Sequence, residues 1–213
     1  MLLRNGHERA LWSGIGALLA ALWFALLNGW KPLGIILLAA AVHECGHWLT
    51  LRLLDEPVTS FRITLFGMEM RTQNSRLSYP EEIAAVLAGP GANLLCGALL
   101  ACLPGTERLR GEIAGANFVL AAFNLLPVRP LDGGHILELL LEWLAAPGCG
   151  EQIIGRIEIL FGLAAGGLLF WTVFQTKGNL WLLPPAVFLL SPLAKLLPRR
   201  GKSKNLLASC KIL

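Results

Sequence analysis

Pro32 to Leu54 reads PLGIILLAAAVHECGHWLTLRLL, an apolar run whose only interruption before Arg52 is His43, Glu44 and His47, with Thr50 just after them. A helix needs roughly 20 apolar residues to cross the hydrocarbon layer, so this run is long enough to span a bilayer with its polar residues near mid-depth. Two imidazoles and a carboxylate among Ile36, Ala39, Val42, Trp48 and Leu49 cost several kcal/mol unless each is satisfied. Their spacing names a partner. In His43-Glu44-Cys45-Gly46-His47 the histidines stand at i and i+4 on one helix face, where both can point at one metal ion while Glu44 reaches water beside it. Polar groups bonded to neighbouring helices without a metal are the alternative.

A catalytic zinc takes three protein ligands and leaves a fourth position open, so a third ligand is expected elsewhere in the chain. Asp132 is the candidate, because it follows Pro127 and Pro130 and precedes Gly133-Gly134, whose bare backbone would admit another helix. Taken alone, Asp132 also suits the N-cap of a resumed helix. His135, one turn further on, is a competing ligand by spacing. Gly89-Pro90-Gly91-Ala92-Asn93 predicts a kinked helix that a neighbour can approach closely.

The rest of the chain has the composition of a membrane protein. Of 213 residues 55% are hydrophobic and 15% charged, and the mean hydropathy is +0.61. We read an all-α integral membrane protein, one polytopic domain over 1–213. Its six spans fall at about 10–28, 32–54, 82–103, 113–146 (broken at Pro127 and Pro130), 153–174 and 180–197, before a basic tail at 198–213. The first span follows Arg4 and Arg9 as a signal peptide would, but its end lacks a small-x-small cleavage site, so it reads as retained. Between the second and third spans, Val58 to Arg71 alternates with period two around Gly67 and predicts a small membrane-associated β-hairpin, as a substrate contact or a structural loop.

Net charge is +4, but no nucleic-acid motif accompanies it. Lys195, Arg199, Arg200, Lys202, Lys204 and Lys211 follow the last apolar stretch, and Arg52, Arg62, Arg71 and Arg76 follow the second span. This bias puts both termini in the cytoplasm and His47 about 10 Å of helix rise from the cytoplasmic end of its span. Five cysteines without CxxC spacing suggest buried thiols rather than a disulfide framework or thiolate site.

Three segments, His43 to His47, Gly89 to Asn93 and Asn124-Leu125-Leu126-Pro127-Val128-Arg129-Pro130-Leu131-Asp132-Gly133-Gly134, stand in an order that resembles the site-2 proteases of the M50 metalloprotease class. The resemblance implies an intramembrane zinc protease of the bacterial cell membrane, with one Zn2+ per chain held by His43, His47 and Asp132. It also implies Glu44 as the catalytic glutamate, Asn124 as a residue that binds or polarises substrate, and a membrane-associated protein as substrate. From the residues alone, Asn124 is an interhelical hydrogen-bonding residue. Within the family, the short form lacking a PDZ insert looks most like the stage IV sporulation type, which cleaves a membrane-associated pro-sigma factor. That type carries a C-terminal CBS domain; this chain stops at Leu213, so regulation through one is not expected. Neither a homo-oligomer nor an inhibitory membrane protein is specified by the sequence. The competing function is a non-proteolytic zinc-binding membrane protein or transporter, but a transport path needs further ionisable residues, and the last two spans offer little beyond Glu158.

Overall fold

The computed structural model describes residues 18–64, 67–72, 77–105, 107–129, 131–144, 149–175 and 183–190. The start of the first expected span, the end of the sixth and the basic tail lie outside these residues. The chain is mostly helical and divides into two units, Met1–Leu125 and Leu126–Leu213. The first holds α1 (Leu18–Asn28), α2 (Trp30–Leu53), β1 (Val58–Thr64), β2 (Gly67–Thr72), α3 (Tyr79–Cys102) and α4 (Arg108–Asn124). The second holds α5 (Asp132–Leu144), α6 (Cys149–Gln175) and α7 (Leu183–Leu190).

Among the described residues three helices are long and apolar enough to cross a membrane: α2, α3 and the Ile153–Gln175 part of α6. Their burial is inverted relative to a protein in water. Leu53 is 75% exposed and Leu95 62%, whereas the buried residues of α2 are Ala39 and His43 and those of α3 are Ala85, Gly89, Pro90, Asn93 and Gly97. Lipid is as apolar as leucine, so no hydrophobic gain comes from hiding leucine between helices; small residues that let backbones approach and polar residues that bond across the contact take the interior instead.

Local chemistry sets the ends of these helices. The α2 helix closes in a Schellman pattern: the Glu56 N–H donates to the Leu51 carbonyl at 3.0 Å, and that of Asp55 to the Arg52 carbonyl at 3.3 Å. Asp55 sits at φ 55°, a left-handed position that aspartate tolerates better than most residues, and the turn delivers the chain into β1. Strands β1 and β2 pair antiparallel, with Phe61 opposite Met70 and Ile63 opposite Met68. The α3 helix opens at Ser78, whose backbone N–H donates to Glu81 Oε2 at 2.8 Å, with Pro80 in the first turn where no donor is needed. Pro90 lies inside α3 without ending it. At the head of α4, Glu112 accepts from Lys31 of α2 at 2.8 Å, and this contact holds its carboxyl below the ordinary carboxylate range; burial works in the opposite direction and Arg108 adds to the lowering.

The α2 and α3 helices pack antiparallel, since His43 meets Asn93 while His47 meets Ala85. Gly46 permits the approach. A Cβ there would lie 2.4 Å from the Ala88 carbonyl oxygen and 2.8 Å from the Ala92 Cβ, so one variable position of the HExxH segment is closed to any larger residue. Gly97 does the same for α4, with the Phe118 ring 3.0 Å from where its Cβ would be. In the second unit α6 and α7 meet at Gly166, whose Cβ would stand 2.7 Å from the Leu190 side chain. We expect Gly46→Val to destabilise the protein by about 1–3 kcal/mol, as overpacking does. Thermal unfolding in detergent would measure it, with Gly34→Ala, where nothing lies within 4 Å, as the unaffected control.

Candidate metal centre

His43 and His47 lie one turn apart on α2, with ring centroids 4.7 Å apart and planes inclined by 82°. What each ring nitrogen faces decides its protonation. Asn93 Nδ2 donates to the Ala39 carbonyl at 2.9 Å and to Asn117 Oδ1 at 2.7 Å; the first partner can only accept, which fixes the orientation of the amide. Asn93 Oδ1 therefore faces His43 Nδ1, at 2.8 Å, and the imidazole must supply the proton. The same logic holds for His47, whose Nδ1 is 2.8 Å from the Ala85 carbonyl oxygen. Both histidines therefore direct an Nδ1–H at these acceptors and turn their Nε2 atoms toward each other, 3.1 Å apart.

With Nδ1 holding its proton toward an acceptor, Nε2 is the ring position that a metal takes. Nitrogens at two corners of a tetrahedron around zinc, each about 2.0–2.1 Å from the ion, stand about 3.3 Å apart, close to the observed spacing. The donor set therefore fits zinc, and the Nδ1 partners are of the kind that orient metal-bound histidines and raise their basicity.

Space at the site is reserved by a glycine. A Cβ on Gly89 would fall 2.2 Å from His47 Nε2, so any side chain there would occupy the region the Nε2 atoms face. Gly91, by contrast, has nothing within 4 Å; of the two glycines beside Pro90, only Gly89 serves the close approach. The network behind His43 runs across three helices. Asn93 and Asn117 are both fully buried, and Asn117 Nδ2 returns to the Ile113 carbonyl of its own helix at 2.9 Å. Reading the motifs did not single out either asparagine as a site residue. Their signal was present in that each is an amide within an apolar helix, where an unpaired polar group is costly.

Glu44 is half-buried on α2 between the two histidines. Asn124, expected to bond between helices, is half-buried at the end of α4, and its Nδ2 donates at 3.1 Å to the Leu120 carbonyl of the preceding turn. Within the second unit, Asp132 is the first residue of α5 and half-buried, whereas His135 is exposed. The structure supplies a local reason for Gly134: its Cβ would lie 2.6 Å from both the Arg129 nitrogen and the Val128 carbonyl carbon.

Comparison with known proteins adds to this geometry. Residues 104–165 match the model of "Peptidase family M50". The chain is 30% identical over 186 residues to "Putative zinc metalloprotease sll0528" of Synechocystis sp., covering 78% of this chain and 48% of that protein. Rip3 of Mycobacterium tuberculosis, named in the same way, is 29% identical over 166 residues, covering 70% of this chain and 42% of its own. The chain thus spans about half the length of the curated relatives it matches. Among solved structures, "Site-2 Protease from Methanocaldococcus jannaschii" superposes with a TM-score of 0.60 at 17% identity, over 90% of this chain and 91% of that one, which shows a shared fold.

Gly89→Ala should displace the His47 ring and lower zinc retained by the purified protein at least several-fold, while Gly91→Ala leaves it unchanged. Elemental analysis after gel filtration, with circular dichroism to verify helix content, would check both. Asn93→Leu, which leaves His43 Nδ1 without its acceptor, should weaken zinc about 10–100-fold in chelator competition.

Proposed function

We propose that this chain, which belongs to the M50 (site-2 protease) family of metallopeptidases, hydrolyses a peptide bond in a membrane-embedded or membrane-associated protein substrate. The observation that carries the proposal is the pair of histidine Nε2 atoms turned toward each other 3.1 Å apart on an apolar helix, with Glu44 between the two residues in sequence. His43 and His47 hold the zinc ion and Asp132 completes its ligand set; the family likeness and the place of Asp132 at the head of α5 support this third assignment. When bound, zinc supplies Lewis acidity that polarises the scissile carbonyl and acidifies the attacking water.

Glu44 takes the proton of that water on its carboxylate and delivers it to the leaving amine, so one residue serves in turn as base and acid. Asn124 is the substrate-binding residue in this reading: its side chain leaves the Leu120 carbonyl and bonds the substrate backbone once a substrate is present. A helical substrate hides its carbonyls in its own hydrogen bonds and must unwind before it can be cut. The β1–β2 pair supplies an edge to which the unwound segment adds as a strand. The chain is polytopic, a single protease domain with six crossings and cytoplasmic termini, placing the metal nearer the cytoplasm.

A structural zinc site is the competing reading, and it gives Glu44 no task. Glu44→Gln separates the two. Purified full-length protein carrying this substitution should hold zinc at the wild-type ratio of one ion per chain and cleave a reconstituted membrane substrate at least 100-fold more slowly. Cleavage at the wild-type rate would overturn the role of Glu44.

A further inference from the structure

Glu158 lies in the apolar part of α6 that is long enough to cross a membrane, and it is fully buried. A carboxylate at such a place costs several kcal/mol of desolvation unless it is fully engaged. Its partner is Arg129, in the turn between Asn124 and Asp132. Glu158 Oε1 accepts both the Arg129 backbone N–H, at 2.9 Å, and its Nε–H, at 2.7 Å. Arg129 Nη1 also reaches Glu138 Oε1 of α5 at 3.2 Å. One carboxylate oxygen therefore grips the main chain and side chain of the same residue, and the guanidinium bridges α6 to α5.

The grip on Arg129 is transmitted along three residues to Asp132. The Leu131 N–H donates to the Val128 carbonyl at 2.9 Å, and the His135 N–H to the Leu131 carbonyl at 3.1 Å. Val128 and Leu131 are buried, and Gly134 lies so close against the backbone of Val128 and Arg129 that no side chain fits between them. The turn and the first turn of α5 thus form one block, fastened to α6 through Glu158.

We propose that Glu158, acting through Arg129, is a positioning residue for Asp132: it fixes where the first carboxylate of α5 is held, and so sets how well that carboxylate serves the metal. This rests on the reading of Asp132 as a zinc ligand. An ion pair that merely stabilised the second unit would lower the melting temperature of metal-free protein and leave zinc affinity alone, whereas a positioning pair changes the affinity itself.

The experiment measures zinc affinity of the purified full-length protein in detergent by chelator competition, with the melting temperature of the metal-stripped protein recorded in parallel. The variants are Glu158→Gln, Arg129→Lys, Asp132→Asn and the Glu158→Gln/Asp132→Asn double. Arg129→Lys keeps a cation beside Glu158, and so keeps the fold, but loses the rigid guanidinium fork. We expect Glu158→Gln and Arg129→Lys each to weaken zinc about 10–100-fold. In the Asp132→Asn background Glu158→Gln should weaken it no further, because its route to the metal is already cut. Wild-type affinity in both Arg129→Lys and Glu158→Gln, or a Glu158→Gln loss that adds in full to that of Asp132→Asn, would overturn the positioning role while leaving Asp132 as a ligand. Wild-type affinity in Asp132→Asn alone would overturn the ligand assignment.

Discussion

Two imidazoles that turn their Nε2 atoms toward each other on one face of an apolar helix are the constraint on which the first unit is built. In water each would find a proton donor at no cost. Among packed apolar helices the pair needs neighbouring groups that fix its tautomers and, to take a metal, clear space beside it. The surrounding residues serve one or the other purpose. Asn93 and the Ala85 carbonyl hold the Nδ1 protons, Asn117 holds Asn93, and Gly89 keeps the facing volume clear.

This accounts for a helix interface that inverts the usual order of residues. Leucines and aromatics cover the exposed sides of α2, α3 and α6, while in α2 and α3 the contacts are filled mostly by small and polar residues. The small residues act by absence: Gly46 and Gly97 let α3 come close to α2 and α4, and only at that distance do the side-chain amides reach their acceptors. Packing and polar satisfaction are one condition here, since moving α3 away would strand Asn93, Asn117 and both histidines together.

Much of this was legible in the sequence because the expensive residues advertise themselves. The HExxH segment, the Gly89 to Asn93 segment and the run up to Asp132 each broke an apolar pattern, and the apolar runs around the first two fall within a few residues of α2 and α3. Pairings between distant segments were not legible. Asn117 is an amide in an otherwise apolar stretch, and nothing near it in sequence points to Asn93 twenty-four residues away. The proline and glycines of the Gly89 to Asn93 segment suggested a helix that a neighbour approaches closely; α3 continues through Pro90, and of the two glycines Gly89 is the one that meets α2. Glu158 stood out as a lone acid in the fifth apolar stretch, but its bond to a backbone N–H in a turn could be seen only in three dimensions.

Both imidazoles belong to α2, but the groups that dictate their tautomers belong to α3. Metal affinity and the relative register of these two helices are therefore thermodynamically linked: each adds to the other's free energy, and neither can change alone. A slide of α3 by one residue would exchange the Ala85 carbonyl for a neighbour aimed in another direction and leave His47 free to turn. The seating of the two helices and the grip on an ion therefore report on one another.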